Sequence, residues 1–185
     1  MQHGLVTKLR QVSKLKTLGS AIVMLLACIV FYFVGVSSHC GWHSLVLSKP
    51  LVTQHDPPCI QMYYYIEHYA DSFDIPKHYA YGIAYYETRY SGPFDWDYKQ
   101  TQVSSVGALG PMQIMPATAK LINGKSVPNK KLKTDIQYNV MTSMKLLRRL
   151  HNTYGDWKLV FGAYNTGRPC VNSYAQNVYS YKPEW

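Results

Sequence analysis

The stretch "PKHYAYGIAYYETRY", residues 76–90, predicts a helix whose apolar side also carries an acid. Pro76 is tolerated in the first helical turn, where a missing N–H has no partner to lose. Asp74, two residues earlier, is expected to cap this helix. Residues three and four positions apart share one face of a helix. The face expected to meet the core consists of Ala80, Ile83, Ala84 and Glu87.

Glu87 is the unusual member of this face, because an ionised carboxylate among apolar side chains is costly unless it is paired. Burial favours the neutral acid, so the pKa of Glu87 is expected to rise toward neutrality. An acid with such a pKa holds a proton at neutral pH and can act as a general acid. The alternative is a salt bridge to Arg89 or to a basic residue of another helix. Arg89 follows by only two positions, on another side of the helix, and is a poor intrahelical partner.

The chain beyond residue 60 shows mostly helical periodicity, with apolar residues three and four positions apart. Residues 91–110 are rich in Gly, Ser and Asp and are predicted to form a loop, and Pro116 is expected to interrupt a short helix. No segment alternates convincingly with period two. The fold class is therefore predicted to be mainly α. Further helices are predicted from Gln61, from about Thr134 to Gly155, over 156–167 and over 171–181.

The net charge of +9 is distributed unevenly along the 185 residues. Five bases and no acid precede residue 51, whereas residues 51–185 carry 14 bases and 10 acids, a balance of +4. The basic run "KSVPNKKLK", 125–133, contains a proline and an asparagine and is predicted to be a solvated loop. Without an arginine-rich helix, this pattern argues against a nucleic-acid partner. It is compatible with attraction to an anionic cell-wall polymer.

An uncharged apolar run, "GSAIVMLLACIVFYFVGV", occupies residues 19–36. As a helix it is about 27 Å long, close to the thickness of a bilayer core. Four bases precede it, so residues 1–18 are predicted to be cytoplasmic and the rest extracytoplasmic. A cleaved signal peptide and a lipoprotein processed at Cys28 are the alternatives. Residues 37–60, with three prolines, are predicted to be a linker, and 61–185 the catalytic domain.

Three cysteines would lie outside the membrane, and they cannot all pair with one another. A Cys59–Cys170 disulfide is favoured because it would tie the start of the domain to its end. Cys40 belongs to "HCGWH" with His39 and His43, which is a weak candidate for a metal site because it lies in a linker.

Four sequence motifs follow one another in a characteristic order: "ETRY" from residue 87, "SSVGALGPMQIMPATA" from 104, "YGDWKLVFGAYNTG" from 154 and "YAQNVYSY" from 174. Over about residues 61–182 the chain resembles the soluble lytic transglycosylase (SLT) catalytic domain of the lysozyme-like superfamily. The long second motif is highly specific, and "AYNTG" supports it independently. The resemblance implies a lysozyme-like helical domain. Together with the apolar run, the predicted architecture is this domain behind a single N-terminal transmembrane helix.

The resemblance assigns roles to eight residues. Glu87 matches the family's single catalytic acid, and Tyr174 matches a tyrosine that approaches this acid and the N-acetyl group of the sugar. Without the resemblance, Met115 and Tyr164 would be taken as core residues and Asn165 as a helix cap. The substrate-binding candidates are Thr88, Ser104, Gln113, Met115, Tyr164, Asn165 and Tyr174.

The sequence also departs from the family pattern. Thr88 stands where a serine is usual, and Pro111, Ser143 and Thr166 replace leucine, glycine and alanine. The loop after Glu87 is several residues longer than usual, and "SGPFDWDYKQTQ" is its unusual part. Its aromatic residues, Phe94 and Trp96, are candidates for an added wall of the cleft.

The resemblance implies cleavage of peptidoglycan glycan strands between N-acetylmuramic acid and N-acetylglucosamine, leaving a 1,6-anhydromuramyl end and needing no cofactor or metal. With the predicted anchor, the enzyme would act on the periplasmic side of the inner membrane. One alternative is a hydrolytic lysozyme in which Asp95 or Asp97 holds a water. Others are a non-catalytic wall-binding module of an envelope-spanning machinery and, least favoured, a peptide-cleaving enzyme using Cys170 and His151.

Overall fold

The structure is a computed structural model that describes residues 52–185. The predicted cytoplasmic segment 1–18, the predicted anchor 19–36, most of the predicted linker and the "HCGWH" motif lie outside the described residues. From Val52 to Trp185 the chain forms one compact unit. Within this unit, no helix is both long and apolar enough to cross a bilayer.

Helices dominate the described residues, and the only β pairing found there consists of isolated bridges at 103, 109 and 114. The prediction of a mainly α fold is confirmed for this part of the chain. The helices are α1 (Pro58–Ser72), α2 (Lys77–Thr88), α3 (Pro116–Asn123), α4 (Asn129–Thr134), α5 (Ile136–Tyr154), α6 (Trp157–Thr166) and α7 (Ser173–Ser180).

Helix α5 is the centre of the domain and packs against α1, α3, α4 and α6. Asp135 caps it by accepting a hydrogen bond from the backbone N–H of Tyr138, and Gly155 ends it in the left-handed conformation that favours glycine. Ile136, Val140 and Met144 along its apolar face are buried, as predicted. Helix α7 packs against α6 and α2, so the end of the chain closes over the helix that carries Glu87.

Several predicted boundaries were wrong because prolines begin helices in this domain. Helix α1 begins at Pro58, three residues before the predicted start, so the described end of the predicted 37–60 linker belongs to the folded domain. Pro116 is the first residue of α3 and does not interrupt it. The basic run predicted as a solvated loop includes α4, whose Leu132 is buried.

Asp74 does not cap α2; Pro76 occupies the N-cap position and no side chain caps the helix. Asp74 instead lies in the left-handed region with φ 52° and pairs with Arg148 at 2.8 Å. Arg148 also donates to the backbone carbonyls of Phe73 and Asp74. This residue therefore ties the α1–α2 turn to the central helix.

The predicted Cys59–Cys170 disulfide is wrong, because both thiols are free. Cys59 is buried in α1, where its carbonyl accepts a hydrogen bond from the hydroxyl of Tyr90 at 2.9 Å. Cys170 is exposed after α6, and its carbonyl lies so close to Gly162 that a Cβ there would be 1.7 Å away.

Candidate active site

Glu87 lies one residue before the end of α2 and is half-buried. The helix stops because Arg89 turns into the left-handed conformation with φ 63°. The guanidinium of Arg89 lies over the ring of Tyr85, 5.4 Å from its centroid. No ion pair involves Glu87 among the described residues, so the salt-bridge alternative fails. Burial raises the pKa of Glu87 to about 7, as the sequence predicted.

Tyr174 reaches Glu87 from α7, 87 residues along the chain. Its hydroxyl donates to Oε1 of Glu87 at 2.6 Å. This hydrogen bond favours the ionised carboxylate and opposes the effect of burial on the pKa of Glu87. Burial, together with the nearby negative charge of Glu87, raises the pKa of the Tyr174 phenol well above its ordinary value. Tyr174 therefore stays protonated and remains a donor throughout the physiological pH range.

Tyr164, from α6, is the second phenol beside Glu87. Its hydroxyl donates to the carbonyl of Met112 at 2.7 Å. A phenol has one proton, so Ser143, whose Oγ lies 2.9 Å away, must donate to the Tyr164 oxygen. Burial and the charge of Glu87 raise the pKa of Tyr164 well above its usual value. The serine that replaces a family glycine thus takes part in fixing this ring.

The unusual part of the loop after Glu87, residues 91–102, is called the inserted loop below. Gln113 lies in the tight turn between this loop and α3. Its backbone has φ 48°, and Gly110, three residues earlier, has φ 75°. The side-chain amide nitrogen donates to the carbonyl of Gly110 at 2.8 Å, with a longer contact of 3.3 Å to that of Gln102. The amide oxygen has no hydrogen bond within the described residues and is free to meet a ligand. Met115, at the N-cap of α3, exposes 38% of its surface.

Asn139 holds this turn in place and was missed by the sequence reasoning. It is fully buried in α5, and its oxygen accepts from the backbone N–H of Met112 at 2.9 Å. Its amide nitrogen donates to the carbonyls of Leu109 and Leu132 at 2.9 and 2.8 Å. The available signal was a polar side chain next to the apolar face of α5, a position where burial requires hydrogen-bond partners.

A profile of the transglycosylase SLT domain matches residues 64–184. The chain belongs to the transglycosylase SLT domain family. This confirms the resemblance inferred from the motifs.

Three solved structures are similar to this SLT domain. The 70-kDa soluble lytic transglycosylase in complex with bulgecin A is 26% identical, with a TM-score of 0.49, over 62% of this chain and 18% of that one. The 70-kDa soluble lytic transglycosylase from Escherichia coli is 26% identical, with a TM-score of 0.48, over 62% of this chain and 18% of that one. An inactive mutant of the lytic transglycosylase Slt from Pseudomonas aeruginosa is 23% identical, with a TM-score of 0.45, over 55% of this chain and 16% of that one. The chain therefore spans less than a fifth of each of these proteins. No curated protein matches the chain.

Three of the predicted binding residues of the SLT domain have hydrogen-bond partners within the domain, and their binding roles stay predictions. Thr88 is buried, and its hydroxyl lies 2.8 Å from the carbonyl of Pro111 and 2.9 Å from the hydroxyl of Tyr98. Ser104 closes a turn by accepting from the backbone N–H of Ala108 at 2.9 Å. Asn165 is exposed and accepts from the amide of Asn172 at 3.3 Å.

The inserted loop of the SLT domain is anchored in its second half. Tyr98 is buried, and the amide of Gln102 donates to the carbonyl of Thr88 at 2.9 Å. Ahead of these two anchors, Phe94 and Trp96 are exposed. The carboxylate of Asp95 accepts from the hydroxyl of Ser91 at 2.9 Å and from its backbone N–H. The loop is therefore a packed part of the domain with an exposed aromatic tip.

Proposed function

We propose that the chain is a lytic transglycosylase that cleaves the β-1,4 bond between N-acetylmuramic acid and N-acetylglucosamine in peptidoglycan. The muramic acid is released as a 1,6-anhydro sugar. We further propose that residues 19–36 anchor the enzyme in the inner membrane, with the catalytic domain on the periplasmic side. The anchor would restrict cleavage to glycan strands near the membrane. Membership of the SLT family supports the reaction, and the apolar run supports the anchor.

One observation carries the catalytic proposal. Burial raises the pKa of Glu87 to about 7, while Oε1 of its carboxyl accepts a hydrogen bond from the hydroxyl of Tyr174. Such a carboxyl is protonated in a large fraction of molecules at neutral pH and can lose its proton without a large penalty. A glutamate used only in a structural ion pair would have its pKa lowered by its partner.

The reaction needs a single carboxyl group because it consumes no water. Glu87 first donates its proton to the glycosidic oxygen, and the bond from that oxygen to C1 of the muramic acid breaks. The N-acetyl group of the same sugar supports the positive charge that develops at C1. The 6-hydroxyl then attacks C1 and gives its proton to the ionised Glu87, which restores the acid. An internal hydroxyl held near C1 has a high effective concentration, which favours this route over attack by water.

The phenols have separate tasks in this proposal. Tyr174 stabilises the carboxylate of Glu87 between the two proton transfers, because its hydrogen bond is stronger to the charged form. Tyr164 is held by Ser143 and the carbonyl of Met112, and it forms a fixed wall beside the acid. In this proposal, the amide oxygen of Gln113, which has no hydrogen bond within the described residues, accepts one from the glycan.

Purified chain incubated with peptidoglycan tests the proposal through the mass of the released fragments. We expect anhydro ends, which are lighter than hydrolysis products by one water, and we expect Glu87→Gln to abolish their release while the circular dichroism spectrum is retained. Asp97→Asn, on the exposed loop, is the control and should remain active. If the wild type released hydrated ends and Asp97→Asn released none, the hydrolytic alternative would be indicated. Full activity of Glu87→Gln would refute the assignment of the acid, and no release by the wild type would favour a wall-binding module.

The anchor is tested by fractionating cells that make the full chain or a chain without residues 1–36. We expect the full chain in the membrane fraction, where it resists extraction by salt and alkaline carbonate, and the truncated chain in the soluble fraction. A full chain that carbonate releases would refute anchoring by residues 19–36.

A further inference from the structure

A cavity of about 500 Å³ opens away from the residues around Glu87. It lies between α1, α4, the beginning of α5 and the inserted loop, and its volume falls within the range of about 300–1,000 Å³ that is typical of small-molecule sites. None of the residues that surround Glu87 lines it. The mechanism proposed above makes no use of this cavity.

Two buried polar side chains in its wall have unused hydrogen-bonding groups. Tyr65 is 4% exposed, and its hydroxyl has no hydrogen bond within the described residues. Gln61 is 8% exposed and donates from its amide nitrogen to the carbonyl of Asp56 at 2.7 Å, whereas its amide oxygen has no partner there. No side-chain polar atom of the described residues is both sealed from solvent and unpaired. Both residues line the cavity, so these unused groups belong to its wall.

The chemistry of the other lining residues indicates the kind of ligand. The side chain of Gln100 has no hydrogen bond within the domain as described, so it offers both a donor and an acceptor. Lys130 and Lys131 are exposed at the edge, and Lys131 lies 3.8 Å from Asp135, which also lines the cavity. Two ammonium groups and one carboxylate leave a single positive charge, which suits a monoanion better than a polyanion.

Some of the residues that line this cavity come from two stretches that the reaction does not explain. Gln100 belongs to the inserted loop "SGPFDWDYKQTQ", and the lysines belong to the basic run "KSVPNKKLK". Burial raises the pKa of Tyr65, so its phenol remains a donor. A ligand that matches this wall combines amide and hydroxyl groups with one carboxylate.

We propose that this cavity is a second binding site, separate from the catalytic residues, for a carboxylate-bearing muramyl peptide. The choice of ligand rests on the proposed function, since such peptides are attached to the glycan strand that the enzyme would cleave. A carboxylate of the peptide meets Lys130 at the edge. Amide groups of the peptide or of the N-acetyl group meet Tyr65, Gln61 and Gln100 inside.

Isothermal titration of the full chain with N-acetylmuramyl-L-alanyl-D-isoglutamine tests the site. Tyr65→Phe removes only a hydroxyl that has no hydrogen-bond partner among residues 52–185, so the fold should be retained while binding weakens about tenfold, the size expected for one buried hydrogen bond. Lys130→Gln should also weaken binding of this probe and reduce its salt dependence. Gln100→Ala, on the loop, tests the same wall if Tyr65→Phe fails to fold.

Matched variants outside the cavity serve as controls. Tyr63→Phe, on another part of α1, and Lys125→Gln, in the same basic run, should leave the dissociation constant unchanged. The neutral disaccharide N,N′-diacetylchitobiose should bind more weakly, and Lys130→Gln should not affect it. An unchanged dissociation constant for Tyr65→Phe and Gln100→Ala would overturn the proposal, as would equal binding of the neutral disaccharide.

The test also separates this site from the proposed reaction. Glu87→Gln should abolish product release without changing the binding event that Tyr65→Phe weakens. If Glu87→Gln remains active, the proposed reaction fails whatever the probe does. If product release follows Glu87 but no binding event depends on Tyr65 or Gln100, only the second site fails.

Discussion

Glu87 makes the stability of the domain depend on pH, and Glu87→Gln should remove that dependence. The pKa of this carboxyl is raised from 4.5 to about 7 by burial. Between these two values the folded chain binds a proton that the unfolded chain has lost, so stability falls as the pH rises through this window. The stability that Glu87 contributes by holding its proton is fully present below pH 4.5 and is lost above about pH 7.

The size of the effect follows from the pKa difference. A raise from 4.5 to about 7 corresponds to about 3 kcal/mol, since each pKa unit is worth about 1.4 kcal/mol. Because Glu87 is only half-buried, this is an upper limit. Glutamine has no proton to lose and keeps an oxygen for the Tyr174 hydroxyl. Above the window, the variant should therefore be more stable than the wild type by up to about 3 kcal/mol, or roughly 10 °C in melting temperature for a domain of this size.

Thermal unfolding of both chains, followed by circular dichroism at about pH 5 and about pH 8.5, measures this difference. The two chains should melt at similar temperatures at the lower pH and diverge at the higher. Other titrating groups, such as His78, whose pKa burial lowers, are common to both chains and cancel. Melting curves that stay parallel across the range, or a variant that is less stable at the higher pH, would refute a buried neutral acid at this position.

Two further changes test the residues around Glu87. Tyr174→Phe removes the hydrogen bond that lowers the pKa of Glu87, so the alkaline limb of the pH–rate profile should move to higher pH. The rate should fall about tenfold or more, because the ionised carboxylate loses its hydrogen-bond donor. An alkaline limb that does not move would contradict the role assigned to Tyr174. Asn139→Ala leaves two buried backbone groups, the N–H of Met112 and the carbonyl of Leu132, without partners and should cost about 3 kcal/mol in urea unfolding. Asn152→Ala, on the exposed side of the same helix, is the control, and an equal loss in both variants would contradict the role given to Asn139.

The helices were predictable where side-chain periodicity and local end signals agree. The apolar face of α5 and its final Gly155 both appear in the sequence, and the helix lies where they placed it. Prolines misled the prediction, because a proline read as a break can equally be the first residue of a helix. Pro58 and Pro116 both begin helices, and the sequence alone does not distinguish the two uses.

The chemistry of the site was predictable at Glu87, because a lone acid on an apolar face has few explanations. Its donor, Tyr174, could be named from the family resemblance but not from spacing, since the contact joins residues far apart in the chain. The resemblance also named Thr88 as a binding residue. Its hydroxyl lies 2.8 Å from the carbonyl of Pro111, 23 residues further along the chain, and this contact could not be predicted from the sequence.

The long separation between Glu87 and Tyr174 has a consequence during synthesis of the protein. A nascent chain that has not yet produced α7 lacks the phenol and the helix that cover the acid, and its glutamate remains an ordinary hydrated carboxylate. The proposed activity would thus arise only once α7 has been made and has docked. A product that is cut before α7 would lack this activity even if its glutamate were present.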